Sequence, residues 1–262
     1  MGIFDKILNP PNIEKLKAKK NLKGLIKALN YKMDRDIQLE AIGALEELGD
    51  VEAVEPLSLV LNSESWLVRN AAKEVLNKLS EKEGLIKKPI KEAKGQQKLS
   101  YPDGTLQYEG GIKEGKGHGE GKLFNRDGTL KYEGEIKEGK SHGEGKAYYE
   151  NGILNYVGDW EDARYHGKGN LYTKNGSLVY VGSIKKGQRN GKGKEYHEDG
   201  TLIKGEFKDD TVDGKAEWYN KNGVLRYRGD WKKGKMHGYG ETYDENGRYV
   251  GKFKWKDGDI VD

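Results

Sequence analysis

Apolar residues recur with two different periods along the chain, and the change of period divides it into two parts. Before about residue 81 the spacing is near 3.6 residues, which is typical of amphipathic helices. Four stripes of this kind occur, at 22–29, 37–48, 54–61 and 68–79. After about residue 100, apolar and polar residues alternate over short segments interrupted by glycine, as in β-strands. The pattern predicts a helical part followed by an antiparallel β part.

The helical stripes are related to each other by a repeat. Residues 37–48 overlay the segment that begins 31 residues later, at Val68. Two helices in each repeat of this length predict a small α-solenoid. The second repeat carries Val68-Arg69 and resembles the HEAT-like repeat, whereas the first departs from it with Ile37-Gln38. This resemblance implies a unit that binds proteins or packs against a neighbouring domain.

In the β part, glycines preceded by Asp or Asn return every 23 or 24 residues. An Asx-Gly pair between alternating segments is a strong signal for a hairpin, because both central residues of a tight hairpin turn need positive φ. The sequence therefore predicts a bend at each pair and a long antiparallel meander of hairpins. The turn glycines are Gly104, Gly128, Gly152, Gly176, Gly200, Gly223 and Gly247.

The alternation places a tyrosine and a glycine on the same strand face in most repeats. A glycine in a strand leaves an empty slot on that face, and we hypothesise that a ring from a neighbouring strand lies across it. The second strand of the first hairpin is expected to begin at Gly119, after a loop at 114–118, so that Gly119 and Gly121 both offer slots. The candidate rings are Tyr108, Tyr132, Tyr156, Tyr180 and Tyr227.

One block combines the segment 132–136, YEGEI, with the segment 142–145, HGEG, and the other blocks follow the same order. This combination resembles the MORN repeat, and the leading Asx-Gly-x-Leu resembles its bacterial variant. Six near-complete repeats and a partial seventh cover residues 101–262. The resemblance implies a sheet that serves as a binding surface.

Two repeats depart from the pattern. The fifth lacks one residue before Gly205 and has Ala216 in place of a glycine. The last is truncated, and we expect Phe253 and Trp255 to cap the sheet. The expected domains are a HEAT-like helical domain at 1–81, a charged linker or helix at 82–99 and a MORN-repeat sheet domain at 100–262. The fold class is therefore multidomain, a small α-solenoid followed by an elongated antiparallel β-meander.

Composition narrows the classes of function. The 262-residue chain has 47 Lys and Arg against 43 Asp and Glu, a formal net charge of +4. Binding of nucleic acid through bulk charge needs a clustered basic excess, so no specific nucleic acid is expected. There is no cysteine, which excludes disulfides and thiolate sites. No run reaches about 18 apolar residues and the start lacks signal-peptide features, so we expect a cytoplasmic protein.

Four histidines hold equivalent positions in the repeats and raise the question of a metal site. Equivalent residues two strands apart are separated by about 10 Å, so two of them cannot share a zinc ion whose bonds are about 2 Å long. We interpret them as turn residues. No hydrolase, metalloprotease or P-loop motif occurs, and no catalytic residue, metal or cofactor is expected. The histidines are His118, His142, His166 and His237.

The aromatic residues of the β part have two interpretations that hold at different positions. One is packing over glycine slots within the sheet. The other is contact with a partner, because repeat sheets present extended surfaces. The candidates for partner contact are Trp160, Tyr165, Trp231 and Tyr239.

The function expected is that of a non-enzymatic protein-protein interaction module. The resemblance to the bacterial MORN class implies an antitoxin or immunity protein that occludes a toxin. The alternative is a scaffold or assembly factor, dimeric through its terminal repeat. A third class, a peripheral adaptor on anionic lipid, draws on Lys185-Lys186 and Lys232-Lys233, but a polybasic anchor needs cations without neighbouring acids. Asp230 and Glu138 lie nearby, which disfavours a membrane surface as the partner.

Overall fold

The structure is a computed structural model that describes residues 10–31, 34–82 and 97–261. The chain divides into two compact units, 1–95 and 96–262. Most of the expected linker, 83–96, lies outside the described residues. The last helix runs to Lys82 and the first strand begins at Gln97.

The first unit is helical, as the apolar stripes predict. Asn12, Asn21 and Asp34 each accept a hydrogen bond from a backbone N–H in the first turn of the helix they precede. Gly49 ends the longest stripe with a left-handed φ of 64°. A 3₁₀ turn, Val51–Ala53, follows it. The helices are α1 (Ile13–Ala18), α2 (Leu22–Leu29), α3 (Arg35–Leu48), α4 (Val54–Val60) and α5 (Trp66–Lys82).

The apolar stripes of these helices form one core. Leu25, Leu45 and Leu57 are fully buried in it, one from each of α2, α3 and α4. Gln38 is buried among them, and its amide donates to the Leu29 carbonyl over 2.6 Å, which satisfies its polar group. Among the described helices, none has the length and apolarity needed to span a bilayer.

The second unit is an antiparallel sheet in which every described strand pairs with its neighbours in sequence order. This confirms the predicted meander. The fifteen strands are β1 (Gln97–Ser100), β2 (Leu106–Lys113), β3 (Lys116–Phe124), β4 (Leu130–Lys137), β5 (Lys140–Tyr148), β6 (Leu154–Glu161), β7 (Arg164–Tyr172), β8 (Leu178–Lys185), β9 (Gln188–Tyr196), β10 (Leu202–Lys208), β11 (Thr211–Tyr219), β12 (Leu225–Lys232), β13 (Lys235–Tyr243), β14 (Tyr249–Lys256) and β15 (Asp259–Ile260).

The two-residue turns with positive φ at both positions lie elsewhere than expected. Between β2 and β3, Glu114 and Gly115 have φ of 52° and 73°, and Lys113 pairs directly with Lys116. This is the geometry of a type I′ turn, which matches the right-handed twist of the strands. The second strand therefore begins at Lys116, three residues earlier than the predicted Gly119.

The Asx-Gly pairs do lie at bends, but the turn is of another kind. In the first, the Gly104 N–H donates to the Tyr101 carbonyl over 2.9 Å, and only the glycine has a positive φ, 86°. The Asp103 carboxylate accepts from the Thr105 N–H and hydroxyl, and these bonds lower the pKa of Asp103. The expectation of positive φ at both residues is corrected, since Asp103 is not among the residues with positive φ. The hydrogen bonds of its side chain stabilise a turn in which only the glycine has a positive φ.

Tyrosine rings pack on glycines across the central row of the sheet. A Cβ built on Gly145 would lie 2.6 Å from Cε2 of Tyr132, whose ring is 2% exposed. Gly119 is different, since it has a φ of 81° and no atom within 4 Å of its Cβ position. The ring hypothesis thus describes Gly121 and its equivalents but not Gly119. The rings of Tyr108, Tyr156, Tyr180 and Tyr227 cover glycines in the same way.

The fifth hairpin replaces this pair of residue types by another. Ile203 pairs with Glu195, as Tyr180 does from the other side, so it holds the tyrosine position. Ala216 pairs with Gly205 and holds the position of the covered glycine. Ile203 and Ala216 are both buried. Ile203 is smaller than the tyrosine it replaces and Ala216 is larger than the glycine it replaces, so together they fill the same layer of the core.

Candidate binding groove on the charged face of the sheet

The two faces of the sheet differ in chemistry. Directly paired residues of antiparallel strands point to the same side, so the covered glycines and their rings all lie on one face. The residues next to those glycines lie on the other, which we call the charged face. There Glu109 pairs with Lys122, Lys122 with Glu133, and Glu133 with Lys146. Charges of opposite sign thus alternate across neighbouring strands.

A groove with a volume of about 760 Å³ lies on the charged face, over β8 to β14. Its floor is the backbone of the central row, where Gly193, Gly205 and Gly229 lie. Six cations and three carboxylates line it. We call this surface the basic groove. The cations are Lys192, Lys194, Lys204, Lys215, Arg228 and Lys252, and the carboxylates are Glu206, Glu217 and Glu241.

Two of the three carboxylates of the basic groove, Glu217 and Glu241, accept hydrogen bonds from groups of the protein itself. Glu217 accepts from the Tyr219 hydroxyl over 2.7 Å and from Arg228 Nε over 2.9 Å. The Tyr219 hydroxyl first, and Arg228 after it, hold the pKa of Glu217 below its usual range. Glu241 accepts from the Tyr243 hydroxyl over 2.8 Å. The negative charge of Glu217 is therefore compensated by Arg228 within the groove, whereas the hydroxyl on Glu241 only satisfies its hydrogen bonding.

Several cations of the basic groove have no carboxylate partner among the described residues. Within the described residues, Lys192 and Lys194 make no ion pair, and both side chains are exposed. The Lys252 ammonium lies 5.6 Å from the ring centroid of Tyr239. Lys215 differs from them, since its ammonium is 2.5 Å from the Asp230 carboxylate. An anionic ligand would find donors at the β9 and β14 ends of the groove.

Two of the four aromatic residues predicted to contact a partner are buried. Trp160 is 9% exposed and packs edge-on against Tyr132 and Tyr156, at centroid distances of 5.0 Å and 5.4 Å. Trp231 is 8% exposed and packs in the same way against Tyr227 at 5.7 Å. This placement corrects the expectation that the two indoles face a partner. Their even spacing from the tyrosines was the signal that places them on the packed face.

The other two candidates lie on opposite faces. Tyr165 is half-buried and stacks on Tyr156 at 4.0 Å, and burial raises its pKa. Tyr239 is 56% exposed and lines the basic groove. The lysines of this groove were missed from the sequence, because lysines were considered as binding residues only in adjacent pairs that could contact anionic lipid. Period-two spacing from the buried rings would have placed Lys192 and Lys194 together on the open face.

The repeated histidines do not gather. His166 Nδ1 lies 3.1 Å from the Glu161 carboxylate and His237 Nδ1 lies 3.6 Å from that of Asp257. Across the part of the chain that the structure describes, no group of three metal-ligating side chains comes together. The first contact lies within the β6–β7 hairpin, and the second joins β13 to the turn after β14. The interpretation as turn residues is corrected, because each of the four histidines is the third residue of a strand.

Comparison with known families agrees with this architecture. The HEAT repeats model matches residues 22–87. The MORN repeat model matches 108–130, 132–153, 156–178, 180–202 and 227–247, and a MORN repeat variant matches 212–233. No curated protein matches the chain. The matching models describe repeats typical of non-catalytic binding modules. The chain therefore carries HEAT repeats over residues 22–87 followed by MORN repeats over residues 108–247.

Proposed function

We propose that this protein is a non-catalytic binding module that holds a protein partner in the basic groove. The observation that carries the proposal is an open groove of about 760 Å³. At one end lie Lys192 and Lys194, which form no ion pair with any residue that the structure describes, and at the other lies the exposed Tyr239. Aromatic and arginine side chains are enriched at protein-binding surfaces, and Tyr239 and Arg228 both line this groove. The lysines would attract a partner surface of opposite charge.

The finer proposal, that the partner is a toxin whose active site the protein covers, draws on the resemblance to the bacterial MORN class alone. A scaffold that joins partners through its two kinds of repeat is the second candidate. The observation that favours it is the presence of two units with separate cores. A gene for a toxin beside this one would support the first, and a stable complex of several different proteins would support the second.

Affinity purification of the full-length chain from its native host tests the groove. We expect the double substitution K192E/K194E to abolish recovery of the partner that the wild-type chain retains, because it reverses the charge of the two lysines at the β9 end of the groove. K113E/K116E makes the same change in net charge at an exposed turn between β2 and β3 and serves as the control. Equal recovery of the partner by both variants would refute binding at the groove.

A further inference from the structure

The charged face changes sign along the sheet. Beside the central glycines of β3 to β6 the cross-strand neighbours include two pairs of carboxylates, Glu120 with Glu135 and Glu144 with Asp159. Further along, β9 presents Lys192 and Lys194 on either side of Gly193. Six cations and three carboxylates line the groove over the later strands. Positive charge is thus concentrated over β9 to β14, although the whole chain has a formal charge of only +4.

We propose that the basic groove takes an acidic segment of a protein partner in extended conformation, lying across the strands. This inference rests on the proposed function and specifies the chemistry of the partner. Charge complementarity supports it. Tyr219 and Arg228 donate to Glu217, and Tyr243 donates to Glu241. Lys192 and Lys194 have no ion pair within the described residues, so the lining of six cations and three carboxylates leaves them available to an anionic ligand.

The dimensions of the groove fit a short segment. Six neighbouring strands, β9 to β14, span about 24 Å at a spacing near 4.8 Å. An extended chain rises about 3.3 Å per residue, so about seven residues cross the groove. Carboxylates at alternate positions would point to one side, towards the lysines at the β9 end and Lys252 at the β14 end. The exposed ring of Tyr239 lies beside Lys252 and offers an apolar contact at that end.

Two other anionic partners fit less well. Glu206, Glu217 and Glu241 lie among the cations, and they would repel a nucleic-acid backbone with a charge at every phosphate. A bilayer surface attracts clusters of cations that stand free of acids, whereas these cations line a depression. A peptide tolerates the carboxylates because its backbone N–H groups can donate to them.

Fluorescence anisotropy with the full-length chain tests the proposal. The probe is a fluorescein-labelled peptide of four Glu-Ser units, and the matched probe has four Lys-Ser units. We expect the acidic probe to bind in low salt and K192E/K194E to weaken it by about tenfold, which is 1.4 kcal/mol. K113E/K116E should leave binding unchanged. Tyr239→Ala should weaken it by about threefold without any change of charge.

Three results would overturn the proposal. They are no binding of the acidic probe, equal loss in the K113E/K116E control, and tighter binding of octathymidylate or phosphatidylserine vesicles than of the acidic peptide. The purification experiment separates this failure from that of the proposed function. If K192E/K194E still loses the natural partner while the acidic probe does not bind, the groove is a binding site for a segment of another chemistry. If neither responds, the groove is not a binding site.

Discussion

At the scale of single residues, the sheet is held together by rings lying flat on glycines. Tyr132 illustrates the arrangement, with its ring over Gly145 and its hydroxyl donating to the Glu135 carbonyl over 2.8 Å. The ring thus buries its apolar area while its one polar group is satisfied. Burial raises the pKa of Tyr180 and of Tyr227 to about 12. A side chain at the covered glycine would displace the ring.

Gly145→Val tests this packing. The added Cβ would lie within 2.6 Å of the Tyr132 ring, so we expect a loss of about 2–3 kcal/mol in the free energy of unfolding. Urea denaturation followed by tryptophan fluorescence measures it. The control is Gly139→Asn at a turn where no atom lies within 4 Å of the Cβ position and where Asn tolerates the positive φ. A midpoint for Gly145→Val that matches the wild-type value would reject the packing account.

At the scale of the hairpin, the cross-strand register determines which residues of neighbouring strands are paired. Most pairs of strands joined at an Asx-Gly bend have an irregular register, as between Leu123 and Phe124 in β3. The pairing of β9 with β10 has none, because the fifth repeat is one residue shorter. In the hairpin of that repeat, formed by β10 and β11, Ile203 takes the place of the tyrosine and Ala216 that of the covered glycine. A change of length and a change of packing therefore occur together, beneath the basic groove.

The exchange of Ile203 and Ala216 predicts energetic coupling between them. Ala216→Gly alone should lower stability by about 1 kcal/mol through the lost methyl and added chain entropy. Ile203→Tyr alone should lower it by about 2 kcal/mol, since the ring meets the Ala216 methyl. The double substitution restores the pair found in the other hairpins, so we expect it to cost about 1 kcal/mol less than the sum. Strict additivity in a double-mutant cycle would show that the two positions do not share a layer.

At the scale of the whole molecule, the two units keep separate cores. The helical core is made of residues between Ile13 and Leu79, and the core of the sheet of residues between Leu99 and Trp255. No residue belongs to both clusters among those the structure describes. Separate cores allow separate folding.

Excision of residues 97–262 tests this independence. We expect the fragment to give a far-UV circular dichroism spectrum dominated by β-structure and to unfold cooperatively, because its packed rings all come from its own strands. The full-length chain, with the helical signal added, is the reference. A spectrum of coil or helix for the fragment would show that the sheet depends on the preceding residues.

Much of the fold is visible in the sequence because its signals are local. The four helical stripes, the stop at Gly49 and the bends at every Asx-Gly pair depend on residues within a few positions of each other. The repeat reinforces each signal, since the same spacing returns throughout 101–262. The neighbour-to-neighbour order of the strands follows, because connections this short leave only an antiparallel partner.

The sequence by itself determined the repeats, the helices, the bends and the alternation of faces. The tertiary structure alone decided which bends are type I′ and that Gly121 and not Gly119 is covered. It also decided that Trp160 is buried between two tyrosine rings and that six cations line one groove. Each of these depends on the cross-strand register, which bulges shift by one residue. A register shift of one residue does not change the period of the sequence, but it determines which side chains are neighbours across the strands.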